Sequence, residues 1–308
     1  MYIYFLMPLI GFIGMFSGGY WGVGCGWLIV PTMLIFGFTP NEAVGVGLLQ
    51  MVPSILMTTV HDIKSLEWNK ESVAVKLVVP LGVGAFLLAF SGKIVNRFFY
   101  ERFGSIALLI IFCVFMITLG SLVLFGKTTE YETDVPKISN AQSIIAFFIG
   151  MVVGVCSSIM GVGGAIFFRP TLANIFKVPE KITAKSIRIL LLVTTFTGGM
   201  YYTFADGKPD WTIILMSLII AAGGMIGFPM GIKIHNKILA NGYGKYVNKS
   251  FAIVTLIVLT NTLLNIFGFV IFSRYLMITI AVLLFISINM FKNYTDNHKI
   301  KIDNNIVK

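Results

Sequence analysis

GVGCG, residues 22–26, interrupts an uncharged run that extends from Met1 to Asn41. If the whole run formed one α-helix, that helix would be about 60 Å long, twice the ~30 Å thickness of the hydrocarbon core of a bilayer. The chain must therefore turn back within this run, and glycine allows both a tight turn and a close approach of neighbouring backbone. Residues 22–26 are thus predicted to form the turn of a broken or re-entrant helix.

The rest of the chain is nearly as apolar. Of its 308 residues, 57% are hydrophobic and 12% are charged, whereas about 25% of a soluble protein is charged. This composition predicts an all-α polytopic membrane protein that is surrounded by lipid and located in the bacterial cytoplasmic (inner) membrane. The net charge of +10 lies mainly in loops and in the C-terminal tail, so it indicates cytoplasmic loops rather than a surface that binds nucleic acid.

An internal repeat is indicated by matches between the two halves of the chain. The matching stretches, each 139 residues apart, are GVG at 22–24 and 161–163, Pro-Thr at 31–32 and 170–171, and Pro at 40 and 179. Further on, Glu67-Trp68 matches Asp210-Trp211 at a distance of 143 residues. Duplicated halves that are interrupted at corresponding glycines and prolines are typical of secondary transporters, whose binding site lies between the repeats.

The matches divide the chain into two homologous repeats of about four spans each, with a glycine-rich re-entrant or broken segment in each repeat. The predicted boundaries are 1–126 for the first transmembrane repeat, 127–137 for a linker loop, 138–273 for the second repeat, 274–291 for an extra C-terminal transmembrane helix and 292–308 for a basic cytoplasmic tail.

Loop charge predicts the orientation of the repeats. Residues 93–102 and 233–249 both carry several Lys or Arg, and the positive-inside rule assigns both loops to the cytoplasm. An even number of crossings must then separate them. This requirement favours parallel repeats, about nine crossings in total and an N-terminus outside the cell. An inverted arrangement, in which one of these loops lies outside, is the second possibility.

The two glycine-rich segments carry a family resemblance. GVGCGWLIVPTMLIFGFTPNEAVGVGLL (22–49) and GVGGAIFFRPTLANIFKVPEKITAKSI (161–187) resemble the two halves of the TauE/SafE family of sulfite and organosulfonate exporters. The resemblance extends over nearly the whole chain and implies a membrane transporter of sulfur-containing anions. This sequence differs from the family pattern at Cys25, where the family has glycine, and at Val46-Gly47 and Lys185-Ser186, where it has Thr-Ser.

The glycine-rich turns are also the first candidate for a binding site. A membrane helix that breaks exposes backbone N–H groups, and the N-terminus of a half-helix attracts anions. Close packing between helices is the alternative role for such small residues. The glycines predicted to bind substrate are Gly22, Gly24, Gly26, Gly161, Gly163 and Gly164.

Several side chains extend this candidate site. Arg169 lies in an apolar run, and a cation buried in a membrane is costly and usually functional, although it could instead reach the lipid headgroups. Lys185 and Arg188 share a helix face and are expected at a cytoplasmic helix end. The polar candidates for substrate binding are Gln50, Ser54 and Thr58, spaced by four, together with Ser186 and Thr194. Each hydroxyl could instead bond to its own helix.

These features predict a secondary transporter that exports a small anion, either sulfite-like, an organosulfonate or a carboxylate. The chain contains no GxxxxGK[ST] loop for ATP, so a proton or sodium gradient or the membrane potential would supply the energy. An uptake permease or anion channel of the same fold is the alternative, and a membrane scaffold without transport is the third possibility. The oligomeric state stays open.

Other classes of site are not expected. The three histidines, His61, His235 and His298, do not have metal-ligand spacing. The three cysteines lie in apolar stretches without a CxxC motif. We therefore expect neither an enzyme nor a metal site, a cofactor or a disulfide.

Overall fold

The computed structural model describes residues 2–125, 136–241 and 243–306, so that most of the predicted linker at 127–137 lies outside the described residues. The described residues form helices and connecting loops and contain no strand. The helices are α1 (Tyr2–Trp21), α2 (Gly26–Ile35), α3 (Pro40–Leu49), α4 (Met51–Ser65), α5 (Val79–Ala89), α6 (Ser91–Phe125), α7 (Asn140–Met160), α8 (Ala165–Pro170), α9 (Glu180–Phe204), α10 (Trp211–Ala240), α11 (Gly244–Ile266) and α12 (Val270–Ile306). Short π-helical segments precede α5 at Ala74–Val78 and follow α8 at Thr171–Ile175.

The predicted class, an all-α polytopic membrane protein, is confirmed. Five helical segments among the described residues are long and apolar enough to cross a membrane, namely Pro40–Ser65, Ala74–Gly104, Asn140–Met160, Trp211–Ala240 and Val270–Asp296. The last of these belongs to α12, which continues without a break across the boundary predicted between the extra transmembrane helix and the tail.

Two helical hairpins contain the glycine-rich turns. The first consists of α1, the turn at 22–25 and α2, and the second consists of α7, the turn at 161–164 and α8. Gly22 and Gly24 in the first turn, and Gly161, Gly163 and Gly164 in the second, have φ between 69° and 80°. This left-handed conformation is unfavourable for residues that have a side chain but is accessible to glycine. The predicted break in each helix is therefore present.

Small residues allow each hairpin to pack closely against a helix from the other half. At these interfaces a β-carbon added to a glycine would collide with a backbone carbonyl of the neighbouring helix. The close pairs are Gly227 with Phe12 and Gly231 with Phe16 between α10 and α1, and Gly150 with Leu81 and Gly154 with Ala85 between α7 and α5. Residue numbers rise together in each pair, so α1 runs parallel to α10 and α7 runs parallel to α5.

Helices α3 and α4, in contrast, run antiparallel to α9. The backbone of Leu49 lies against Gly199, and ten residues later the Thr59 hydroxyl donates a 3.4 Å hydrogen bond to the carbonyl of Arg188. The predicted repeat matches α3–α4 with α9, so in that repeat the matched helices would point in opposite directions.

Two ion pairs identify the opposite faces of the helical bundle. Lys93 at the start of α6 donates a 2.8 Å hydrogen bond to Asp206 in the loop after α9, and we call this side the Lys93 face. Lys237 near the end of α10 lies 2.7 Å from Asp296 of α12, and we call this side the Lys237 face. Since α10 begins soon after Asp206 and is 30 residues long, its two ends mark the two faces.

The expectation of parallel repeats is therefore wrong, because residues 93–102 and 233–249 lie on opposite faces. Between them the part of α6 after its kink at Gly104, α9 and α10 each run from one face to the other, while the hairpin of α7 and α8 starts and ends on the Lys237 face. In the described residues we find seven face-to-face passes and two hairpins rather than nine crossings. The loop charge was misleading because Lys93 is buried in an ion pair rather than free in a cytoplasmic loop.

Cysteine labelling distinguishes the two arrangements. Lys70 follows α4 and Lys208 follows α9, and parallel repeats would place both loops on the same side of the membrane. We expect Lys70→Cys and Lys208→Cys to react with a membrane-impermeant maleimide from opposite sides of sealed vesicles. The unsubstituted protein, whose native cysteines are Cys25, Cys113 and Cys156, gives the background. Labelling of both variants from the same side would contradict the antiparallel arrangement.

Candidate functional site

A cavity of about 430 Å³ opens toward the Lys237 face, where the tip of the first hairpin meets α8, α9 and α10. Its mouth includes the exposed residues Lys181 and Asn236, and its deeper wall includes the buried Leu191 and Phe228. The lining residues are Gly19, Gly22, Gly24, Arg169, Glu180, Lys181, Ala184, Lys185, Ile187, Arg188, Leu191, Phe228, Ile232, His235, Asn236 and Leu239.

The charged residues of the cavity wall are predominantly basic. Arg169, Lys181, Lys185 and Arg188 line it, whereas Glu180 is the acidic residue on the same wall. A cleft lined by one sign of charge and surrounded by low-dielectric protein raises the local concentration of oppositely charged ions. The cavity is therefore suited to a small anion.

Arg169 lies at the centre of this wall and is partly buried. One terminal nitrogen, Nη2, lies 2.6 Å from the Glu180 carboxylate, and the other, Nη1, donates a 3.0 Å hydrogen bond to the carbonyl of Trp21. Trp21 is the last residue of α1, where helix carbonyls lack an intrahelical partner and carry partial negative charge. Arg169 thus connects the second hairpin to the end of the first and to the start of α9, and it does not extend toward lipid headgroups.

Arg188 forms a second ion pair behind the cavity wall. Its guanidinium makes two hydrogen bonds to the carboxylate of Asp62 in α4, at 2.5 Å from Nε and 2.9 Å from Nη2. The Asp62 side chain is only 5% exposed. Sequence reasoning expected Arg188 at a solvated helix end, but the structure places it in the third turn of α9 with a buried partner.

The deeper part of the site is the contact between the two glycine-rich turns. A β-carbon at Gly26 would overlap the carbonyl oxygen of Gly161, so the two hairpin tips touch through bare backbone. The hydroxyl of Thr194 donates to the carbonyl of Gly163 and holds the second tip against α9. Gly164 packs against Phe168 in the same hairpin.

The predicted polar residues do not line the cavity, and all of them except the half-buried Thr58 are buried. The Gln50 amide donates to the Cys25 sulfur at 2.7 Å and to the Gly47 carbonyl at 3.2 Å. Its oxygen, and the hydroxyls of Ser54 and Ser186, have no hydrogen-bond partner in the described part of the chain. The hydroxyl of Thr58 donates to the carbonyl of Ile55, as expected for a helical threonine.

Of the twelve predicted site residues, the structure brings Gly22, Gly24 and Arg169 to the cavity and leaves the others in the packing around it. Glu180 and Asp62, the partners of Arg169 and Arg188, were not among the predicted site residues. A usable signal existed, because both are acidic residues that flank apolar helices and an unpaired carboxylate near a membrane is costly.

The opposite face is held by the pair of Lys93 and Asp206. Lys93 is only 4% exposed, and its ammonium group also donates a 3.2 Å hydrogen bond to the carbonyl of Tyr202. The hydrogen bond from Lys93, followed by the positive charges of Lys93 and Arg97, lowers the pKa of the Asp206 carboxyl from its usual value. This ion pair therefore ties α6 to the end of α9 at the Lys93 face.

Comparison with known proteins places these elements in a family context. The sequence profile described as "Sulfite exporter TauE/SafE" matches residues 7–262, which include the whole cavity but not α12. The Bacillus subtilis (strain 168) protein named "Probable membrane transporter protein YunE" is 23% identical over 254 residues, which are 75% of this chain and 88% of that protein. No solved structure matches this chain significantly.

Two further relatives have similar names. The Methanocaldococcus jannaschii protein named "Probable membrane transporter protein MJ0441" is 27% identical over 250 residues, 76% of this chain and 86% of its own length. A Xylella fastidiosa (strain 9a5c) protein named "Probable membrane transporter protein" is 26% identical over 254 residues, 80% of this chain and 90% of its own length. The similarity thus extends over nearly the full length of each relative.

A pair of glycine substitutions tests the contact between the hairpin tips. Gly26→Ala would force a methyl group into the carbonyl of Gly161, and such overpacking typically costs about 1–3 kcal/mol. Gly82→Ala in α5 is the matched control, since its methyl group would meet only a Leu190 methyl at 3.5 Å. We expect a lower thermal unfolding midpoint in detergent for Gly26→Ala and an unchanged or higher one for Gly82→Ala. Equal midpoints for Gly26→Ala and the parent protein would show that the tips do not touch.

Proposed function

The chain belongs to the sulfite exporter TauE/SafE family of membrane transporters, and we propose that it is a secondary transporter that exports a small anion, either sulfite-like, an organosulfonate or a carboxylate. The observation that carries this proposal is the basic wall of the cavity. The Asp62 and Glu180 carboxylates offset the two arginines, which leaves Lys181 and Lys185 as the charge excess at the mouth. An entering anion would reduce this excess of two positive charges.

The proposed direction rests on the distribution of positive charge. The described Lys and Arg residues near the Lys93 face are Lys93, Arg97, Arg102, Lys208 and Arg274. Those near the Lys237 face are Lys64, Lys70, Lys76, Lys137, Lys177, Lys181, Lys185, Lys233, Lys237 and Lys292, together with the cavity arginines Arg169 and Arg188. The positive-inside rule favours the Lys237 face as the cytoplasmic one. The cavity then opens to the cytoplasm, where an exporter takes up its cargo.

The opposite directions of corresponding helices support an inverted repeat, the arrangement in which rocking of one half against the other opens a site to each side in turn. In this conformation the cavity opens at the Lys237 face, while the pair of Lys93 and Asp206 holds the Lys93 face together. The membrane potential would favour anion exit by about 2.3 kcal/mol per charge for each 100 mV. A proton or sodium ion remains the proposed coupling ion where a gradient is used.

Flux into and out of liposomes tests the proposal against its alternatives. We expect the purified protein to give saturable flux of one or more of sulfite, thiosulfate, taurine and acetate, with empty liposomes as the control. Flux that rises linearly with concentration would favour a channel. Saturable flux that proceeds only toward the cytoplasmic side would favour an uptake permease. No substrate-dependent flux would leave a membrane scaffold as the function.

The two lysines at the mouth of the cavity lead to a separate prediction. Replacing both Lys181 and Lys185 with Gln should raise the KM for anion flux by roughly fivefold at low ionic strength, because charge steering is lost, and less at high ionic strength, because salt screens it. Lys64→Gln with Lys70→Gln is the matched control, since it removes two charges from the same face outside the cavity. An equal change in both double variants would mean that only the overall surface charge matters.

A further inference from the structure

We propose that the Glu180 carboxylate occupies the place of the transported oxyanion on Arg169 while the cavity is empty, so that the substrate must displace it. This inference rests on the proposed anion transport and names the residue that sets the affinity of that same site. Glu180 is then a built-in competitor, and its removal should make the protein bind anions more tightly.

Both terminal nitrogens of Arg169 already have a partner while the cavity is empty. Nη1 already donates to the Trp21 carbonyl, and Nη2 lies 2.6 Å from Glu180. A guanidinium binds carboxylates and the oxyanions of sulfur through the same N–H donors. An incoming oxyanion that binds at Nη2 of Arg169 must therefore displace the Glu180 carboxylate.

The second ion pair of the site shows why Arg169, rather than Arg188, is the exchangeable cation. Asp62 holds Arg188 with two hydrogen bonds, is almost fully buried and does not line the cavity. Glu180 shows a single 2.6 Å bond to Arg169, lines the cavity and has 27% of its side chain exposed. Its carboxylate can move into water on release, whereas Asp62 without Arg188 would be left as an unpaired charge inside the protein, which is costly.

The position of Glu180 in the fold links this exchange to movement. Glu180 is the first residue of α9, and Arg169 lies in α8, so their ion pair ties the second hairpin to the helix that follows it. A substrate that takes the place of Glu180 breaks this tie while it occupies the cavity. Binding and the loss of this tie between α9 and the hairpin then occur together, which couples substrate to movement as an alternating-access transporter requires.

The test is a binding titration in detergent, with sodium sulfite and sodium acetate as the probes. Glu180→Gln keeps the size of the side chain but replaces the charged acceptor with a weaker neutral one. We expect its Kd for the bound probe to be about tenfold lower than that of the unsubstituted protein. Glu71→Gln is the matched control, because it removes one negative charge from an ion pair with Lys76 outside the cavity. Its Kd should be unchanged.

Each outcome separates the inference from the function on which it rests. If the unsubstituted protein binds a probe and Glu180→Gln binds it equally or more weakly, the inference is overturned and the anion site stands. If neither protein binds either probe, the proposed anion function fails and the inference fails with it. Should Glu180→Gln not fold, Glu180→Asp replaces it. Its shorter carboxylate holds Arg169 less well, so its Kd must also be lower, and an equal or higher Kd overturns the inference.

Discussion

The fold depends on one constraint: backbone polar groups inside a membrane must be covered by protein or line a water-filled cavity. Both glycine-rich turns break a helix, and the structure covers the two breaks with each other. Gly26 lies against the carbonyl of Gly161, and Thr194 caps the carbonyl of Gly163. The remaining exposed side of the first turn, at Gly22 and Gly24, faces the cavity. The candidate site is thus a part of this contact that opens to water and ions.

Sequence reasoning could predict the hairpins because their cause is local. An uncharged run too long for one crossing has to turn, and the left-handed glycines at 22, 24, 161 and 163 mark the position. The orientation of the halves could not be predicted in the same way. It depends on whether Lys93 is a free loop cation or a buried one, and the answer lies in a partner 113 residues away. Charge rules for loops assume solvated side chains, and Lys93 breaks that assumption.

The candidate site could likewise be predicted from the sequence only in part. Arg169 could be singled out because a cation in an apolar run is conspicuous within a few residues of sequence. Its role could not be derived from sequence, since the Trp21 carbonyl that it binds belongs to the other half of the chain. Gln50 and Ser54 were predicted to bind substrate because they share a helix face. In the structure that face lies in the packing between α4 and its neighbours. Helical spacing defines a face, but only packing decides what that face meets.

The differences between the two halves matter as much as their likeness. Val30 and Asn41 stand 139 residues before Arg169 and Glu180, so the first half lacks the ion pair of the second. Val30 is buried, and its side chain lies close to Gly47 and Gly161. The predicted repeat would offer two equivalent positions for an anion, and only one of these positions carries a cation. This asymmetry supports a single binding position that belongs to the Lys237 face in this conformation, with transport requiring that position to become accessible from the Lys93 face.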